Sequence, residues 1–474
     1  MDALPYVPTI GLEIHAELKT RTKMFCDSAN DPDETRPNVN VCPVCLAHPG
    51  TLPVINREAV KHVLRVGAAI GGTLADYTEF DRKSYFYPDI PKGYQISQYE
   101  YPLVTGGELA GVAVTRVHLE EDTARSSHEQ GVSLVDFNRA GVPLMELVTE
   151  PVIHGAEAAG RFARELQLLL RTLGAGEANL EKGEMRVEAN ISVSAEPRKL
   201  GTKVEVKNLN SFRSVERAIA FEIDRHIALL REGKPVTQET RGWDEEGQRT
   251  FSQRLKEGSA DYRYFPEPDL PKLMLSEDPE CAPEAIRASL PELPDARRGR
   301  YRERYTLKES LAEQIVKDPI FSVFFDAVAA ALAEDQKAVQ LAANYLTVDL
   351  AGIQAREGWA ALPIDPRAFA KLIRLAQAGT LSSRGAKDTL ELLVAQGGDP
   401  EELASAHELI QIQDDGALRE IIAEVVNRET KAAEEYRSGK EAALQYLVGM
   451  SMWESKGAGN PSRIRELLIE ELGR

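Results

Sequence analysis

The chain lacks most of the short motifs that mark common enzyme classes. It has no GxxxxGK[ST], no complete GxGxxG, no HExxH and no GxSxG. If ATP is used, a P-loop does not hold it. Four cysteines in 474 residues are too few for a disulfide framework. No window approaches a membrane span. The opening Met1-Asp2-Ala3-Leu4-Pro5 has neither the basic region and apolar core of a signal peptide nor the arginines of a transit sequence. The expectation is a soluble, cytoplasmic protein with no membrane partner. Positive charge is also short: a net charge of −18 argues against a nonspecific nucleic-acid coat, though local basic patches can still recognise RNA. No segment repeats with a period of 20–50 residues, and the length has room for three domains.

What is present is acid in alternation. In Gly11-Leu12-Glu13-Ile14-His15-Ala16-Glu17, Leu12, Ile14 and Ala16 point one way, and Glu13, His15 and Glu17 the other. Such a strand repels itself unless something cationic covers it. Oxygen ligands with one imidazole suit Mg²⁺ or Mn²⁺. For this segment alone, the alternative is a solvated strand edge.

The pattern recurs. Arg116-Val117-His118-Leu119-Glu120-Glu121-Asp122 ends in three acids, and Gly141 to Pro151 closes on Glu150. In Arg186 to Val193 every even position is polar and every odd one apolar, and Thr202 to Asn208 repeats this with Lys203 and Lys207 in the polar row. Strands of this kind form a sheet with one apolar face for helices and one charged face. Carboxylates there can bind metal, while Lys203, Lys207, Arg186 and Arg82 can bind phosphate oxygens. Polyphosphate transfer needs that combination, because its catalysis is mostly positioning and charge neutralisation. The alternative is an antiparallel sheet laced with salt bridges.

Cys42-Pro43-Val44-Cys45 is a single CxxC, with Cys26 upstream and His48 downstream. The four side chains make a candidate Cys₃His zinc set; the alternative is three reduced cysteines in a loop. Helix-like stretches fall at Arg57–Gly71 and His154–Gly174. Ser276 to Pro294 turns acidic and Pro-rich and reads as a domain boundary, and almost everything beyond it has helical spacing. Breaks fall at Gly358 to Pro366, Gly379 to Gly385 and Gly397 to Pro400. Two loops, Asp81 to Gln95 and Asp261 to Asp269, mix cations, aromatics and turn formers, as a clamp for a nucleotide or a nucleic-acid end, or a subunit rim, would.

Six segments carry a family resemblance: Gly11–His15, Asp81–Asp89, Gly93–Gln98, His118–Asp122, Lys207–Phe212 and Asp261–Asp269. They resemble the B subunits of the bacterial aspartyl/glutamyl-tRNA amidotransferases, and the likeness runs end to end. It implies an α+β chain. A mainly antiparallel-sheet catalytic cradle, like glutamine synthetase and the guanido kinases, would span 1–290. An all-α helical domain at 291–400 and a small helical, tRNA-binding tail at 401–474 would follow.

The resemblance also implies a heterotrimer with an amidase A subunit and a small C subunit. ATP and Mg²⁺ would phosphorylate the side-chain carboxylate of mischarged Glu-tRNA(Gln) or Asp-tRNA(Asn), and ammonia would then form the amide. The mischarging synthetase is a further candidate partner, and it and the tRNA present decide which product forms. Carried over by position, Glu13, His15, Glu121 and Glu150 would surround one divalent ion. Glu120 and Glu188 would line a second ion or the phosphates, beside Arg186. Lys83, Lys92 and Lys203 would serve phosphates or a channel mouth. The chain has no amidase Ser-Ser-Lys signature and no glutaminase cysteine arrangement, so its ammonia must come from a partner.

Two regions depart from the family. Ser28 stands where relatives carry a second cysteine, and His48 stands where an apolar residue is expected, a possible exchange of zinc ligands. Trp453 occupies the usual place of a lysine, so stacking would replace a phosphate contact there. A ligase acting on free glutamate and a non-enzymatic RNA adaptor are the competing readings. The first leaves the long helical C-terminus unexplained, and the second the acidic strands.

Overall fold

Period-two alternation turns the N-terminal segment into the long strand β1 (Val7–Glu17), whose odd and even side chains enter different worlds. Leu12, Ile14 and Ala16 are buried in one continuous apolar core, together with residues of three helices. These are α1 (Arg57–Ala69), α2 (Ala156–Thr172) and α3 (Phe212–Arg231). The computed structural model describes residues 6–129, 131–196, 199–255, 262–359, 361–412, 414–455 and 458–473, so Asp261 and the first five residues lie outside it. The chain divides into two units, Met1–Leu293 and Pro294–Arg474.

The first unit is built on one large sheet. Its principal strands after β1 are β2 (Asp81–Ser84) and β3 (Tyr94–Ser97), which belong to a small separate sheet, then β4 (Val112–Glu121), β5 (Pro143–Thr149), β6 (Met185–Ser194), β7 (Val204–Leu209), β8 (Glu239–Asp244) and β9 (Arg249–Leu255). The large sheet runs β9-β8-β7-β6-β1-β5-β4 and ends in the two-residue strands Val104–Thr105 and Thr73–Leu74. Every pairing along it is antiparallel except β7 with β8. β1 therefore sits at the centre, flanked by β6 and β5. Helix α1 lies so close to the sheet that a Cβ at Gly67 would fall 2.3 Å from a Val104 methyl, so only glycine fits there. The small sheet pairs Phe265–Pro266 with β2 and β2 with β3.

The second unit is helical. Four of its helices begin at an Asx-Pro dipeptide: Pro319–Ala331, Pro366–Gln377, Pro400–Ala406 and Pro461–Leu472. In each, Asp318, Asp365, Asp399 or Asn460 accepts hydrogen bonds from free N–H groups of the first turn. The proline supplies a φ already suited to the helix at a position with no N–H to satisfy. The breaks expected at Pro366 and Pro400 are these helix starts. In the tail, Leu418, Ile422 and Val425 from Asp415–Arg428 pack with Leu447 of Glu441–Glu454 and with Ile464, Leu467 and Leu468 of the last helix. Each such side chain contributes roughly 1.5–3 kcal/mol on burial. No described helix is long and apolar enough to cross a membrane.

Candidate active site

The face of the sheet turned away from α1, α2 and α3 carries the polar halves of four alternating strands. Register lines them up. Arg186 on β6 stands opposite His15, His15 opposite Glu146 on β5, and Glu146 opposite His118 on β4. Further along, Glu188 pairs with Glu13, and Leu144 with Glu120. Directly opposed side chains on one face of a sheet lie within interaction distance. His15 Nε2 is 3.3 Å from Glu146 Oε2 and 3.6 Å from Glu120 Oε1. His118 Nε2 is 3.3 Å from the same Glu146 oxygen. Ser97 Oγ donates to Glu120 at 3.0 Å, and Lys207 Nζ reaches both oxygens of Glu188 at 2.8 and 2.7 Å.

A cavity of about 560 Å³ opens over this row. Six carboxylates line it (Glu13, Glu120, Asp122, Glu146, Glu188, Glu205) against four Lys or Arg cations (Lys83, Arg116, Arg186, Lys207) and two histidines. The deficit of two positive charges shows in the titration. Burial, with Glu146 and Glu188 close by, holds Glu13 above the ordinary carboxylate range. Burial opposes a charge on His15, but its hydrogen bond to Glu146 and the carboxylates of Glu146, Glu120 and Glu188 win and push it up to about 9. Burial likewise works against Lys83, but Glu120, Tyr264, Glu146 and Tyr85 together outweigh it, so the ammonium stays protonated. A divalent cation matches the deficit without protons. Three overlapping donor groups have ligand atoms within 4.8 Å of one another: Glu13–His15–Glu146, His118–Glu120–Glu146 and Glu13–Glu188–Glu205. Oxygen donors with imidazole fit a hard divalent ion.

Residues 8–279 match the family described as the GatB/GatE catalytic domain. The chain belongs to the GatB family. Residues 324–472 match a second description, GatB domain. Among similar proteins, the B subunit of the aspartyl/glutamyl-tRNA(Asn/Gln) amidotransferase of Thermus thermophilus is 45% identical over 474 residues, covering 99% of both chains. Its counterpart from Thermomicrobium roseum is 44% identical over 484 residues, again covering 99% of both. That of Synechocystis is 42% identical over 487 residues, covering 98% of this chain and 97% of the relative.

Of the residues expected from this family, Glu13, His15, Glu120, Glu188, Arg186 and Lys83 line the one cavity. Others stand elsewhere. Glu121 follows Glu120 by a single residue on β4, so it turns to the opposite face. There it accepts the Ile96 N–H at 2.9 Å and pairs with Lys92 at 2.6 Å. Glu150 lies beyond the register shift between Val148 and Thr149 and accepts from Thr115 Oγ1 at 2.7 Å, outside the cavity lining. Lys203 precedes β7 and is exposed, while Arg82 is paired with Glu267 at 2.7 Å. The cavity holds instead Glu146, His118 and Glu205, which the motifs alone do not single out. Their signal was available: Glu146 alternates with Met145 and Leu147, and His118 with Val117 and Leu119.

Cys26, Cys42 and Cys45 converge, with their sulfurs within 4.8 Å of one another. Ser28 Oγ is 3.8 Å and Lys23 Nζ 3.7 Å from Cys45 Sγ. His48 is exposed and outside this group, so the expected Cys₃His set is not assembled.

Proposed function

We propose that this chain is the B subunit of a tRNA-dependent amidotransferase, a C–N ligase that uses ATP and partner-supplied ammonia. It converts Glu-tRNA(Gln) or Asp-tRNA(Asn) into Gln-tRNA(Gln) or Asn-tRNA(Asn). One observation carries the reading: the row in which six carboxylates face four Lys or Arg cations and two imidazoles, in the cavity of the GatB/GatE catalytic domain.

The first step needs no general base, because the substrate's side-chain carboxylate is already ionised at pH 7. Its oxygen attacks the γ-phosphorus of ATP, the bond to the bridging oxygen breaks and ADP leaves. Ammonia then attacks the acyl carbon, phosphate departs with the bonding pair, and the nitrogen loses a proton to give the amide. Glu13, His15, Glu120, Glu146 and Glu188 would hold Mg²⁺, which when bound neutralises phosphate charge. Lys83, Arg186 and Lys207 sit where they can meet the remaining phosphate oxygens, and the sheet fixes all of them before substrate arrives. Zinc on Cys26, Cys42 and Cys45 would leave its fourth position to Ser28 or solvent. Metal content of Cys42→Ser against the parent chain tests that.

The cradle kinship with glutamine synthetase and the guanido kinases, the division of the helical unit near residue 400, cytoplasmic action and assembly with amidase A and small C subunits belong to the same proposal. The tail, 401–474, would hold the tRNA. Trp453 is 70% exposed there, with the Arg428 guanidinium 6.0 Å from its ring centre, a surface suited to stacking. The test is amide formation by the assembled enzyme with mischarged tRNA, ATP and ammonium chloride, which bypasses the glutaminase. Glu146→Gln should abolish ATP cleavage and amidation together. A free-amino-acid ligase would act without tRNA, and an adaptor would not respond to Glu146→Gln at all.

A further inference from the structure

The cavity has a second wall that the phosphate chemistry does not use. The small sheet delivers one tyrosine from the end of each of its strands. Tyr85 follows β2, Tyr99 lies two residues past β3, and Tyr264 directly precedes Phe265–Pro266. With Tyr262 they form a ladder of rings. Tyr99 and Tyr264 are stacked, centroids 4.3 Å apart and planes 16° from parallel. Tyr264 meets Tyr262 edge-on at 6.2 Å, and Tyr262 meets Tyr85 at 5.9 Å. All four line the cavity. The ladder begins at a residue left half open, since Tyr99 is 49% exposed, while its backbone is anchored by a 2.9 Å hydrogen bond from its N–H to Asp81. Lys83, on the middle strand, holds its ammonium 5.2 Å from the Tyr262 ring and lines the cavity with the carboxylates.

Rings that only filled space would be buried on both faces. Here a rigid stacked pair presents a ring to a polar cavity, beside a cation. A flat heterocycle joined to phosphates matches that combination, because any base has a π-face to stack and its 5′ phosphates then run toward the ammonium. We propose that the Tyr99–Tyr264 pair seats the adenine of an adenosine whose 5′ phosphate side lies toward Lys83. This rests on the amidotransferase reading, which brings two adenosines to the site: that of ATP and the 3′-terminal one of the tRNA. The ring chemistry is the same for both.

The experiment measures equilibrium binding of ATP, and separately of mischarged tRNA, to the assembled enzyme carrying Tyr99→Ala, Tyr99→Phe or Tyr264→Leu. Thermal melting checks that each variant is folded. Loss of the ring should weaken one ligand by about tenfold, with Tyr99→Phe close to the parent because stacking needs the ring and not the hydroxyl. Weakened ATP with unchanged tRNA assigns the nucleotide's adenosine, and the reverse assigns the tRNA end. If folded Tyr99→Ala and Tyr264→Leu bind both ligands as the parent does, or if Tyr99→Phe is as defective as Tyr99→Ala, the proposal is overturned. Glu146→Gln runs in parallel with amidation as its readout. It should lose turnover whichever adenosine the tyrosines seat, so failure of the amidotransferase reading and failure of the stacking site give different patterns.

Discussion

Glu222 on α3 and Glu13 on β1 are glutamates of the same unit, set on opposite sides of the same sheet, and they are treated in opposite ways. Glu222 is fully enclosed and surrounded by donors: Arg225 at 2.7 Å, Arg241 at 3.2 Å, His226 at 3.3 Å and the Thr250 hydroxyl. Burial alone would raise its pKa, but the His226 and Arg225 hydrogen bonds prevail and bring it down to about 2. Burial and the carboxylates of Glu146 and Glu188 outweigh His15 and Lys207 at Glu13, which is held above its ordinary range. In the first cluster the carboxylate's charge is met by cations and a hydroxyl. The second is left short of positive charge, as a site built to receive a cation is, and sites of this kind give up stability for function.

The contrast can be broken most severely from its balanced side. Glu222→Ala leaves Arg225 without its carboxylate, while Arg241 keeps Glu239 at 2.6 Å, and should cost about 3–5 kcal/mol. Denaturant unfolding would measure it, with activity per folded molecule unchanged. On the other side, Glu146→Ala should lower amidation by roughly 10²–10³-fold and let the His15 pKa fall, because the hydrogen bond that holds its proton is lost. Divalent ions should sharpen the difference. At a hundredfold excess over its dissociation constant, Mg²⁺ should stabilise the parent chain by about 2.7 kcal/mol, and Glu13→Gln should lose most of that gain while Glu222→Gln keeps it.

Acid and base should separate the clusters as well. The Glu222 contribution is present above its free value of 4.5 and disappears as pH falls toward about 2. The His15 contribution is complete below its free value of 6.5 and disappears as pH rises through about 9. Stability should therefore fall less steeply toward acid in Glu222→Gln and less steeply toward alkali in His15→Gln. The smallest effect belongs to Glu150→Ala, outside the cavity, which should change activity and stability by under about 0.5 kcal/mol.

Much of this was legible in the residues, for reasons that also explain the rest. The period-two alternation of Gly11–Glu17 and Arg186–Val193 specified which side chains share a face, and the structure keeps that parity. Asx-Pro pairs marked helix starts because their backbone demands are local. Partners across strands are not local. Nothing within β5 says that Glu146 will stand between His15 and His118, because that depends on the register of three strands. Glu120 and Glu121 differ only by parity on β4, and a run of three acids hides which of them faces the cavity. Glu150 reads as the end of an acidic strand, and the irregularity after Val148 that sets it apart has no obvious residue signature. The Cys42–Cys45 spacing brought the thiols together, but whether His48 folds back on them was beyond the motif.

A divalent cation seated over β1 would cancel the surplus of carboxylates there. Calorimetric titration of Mg²⁺ into the full chain near pH 7.5, in two buffers of different ionisation enthalpy, tests it most directly. The expected result is saturable binding with protons released to the buffer, as the His15 imidazolium gives up its proton, and loss of both signals in Glu146→Gln. No saturable binding, or the same heats in the parent and in Glu146→Gln, would contradict it.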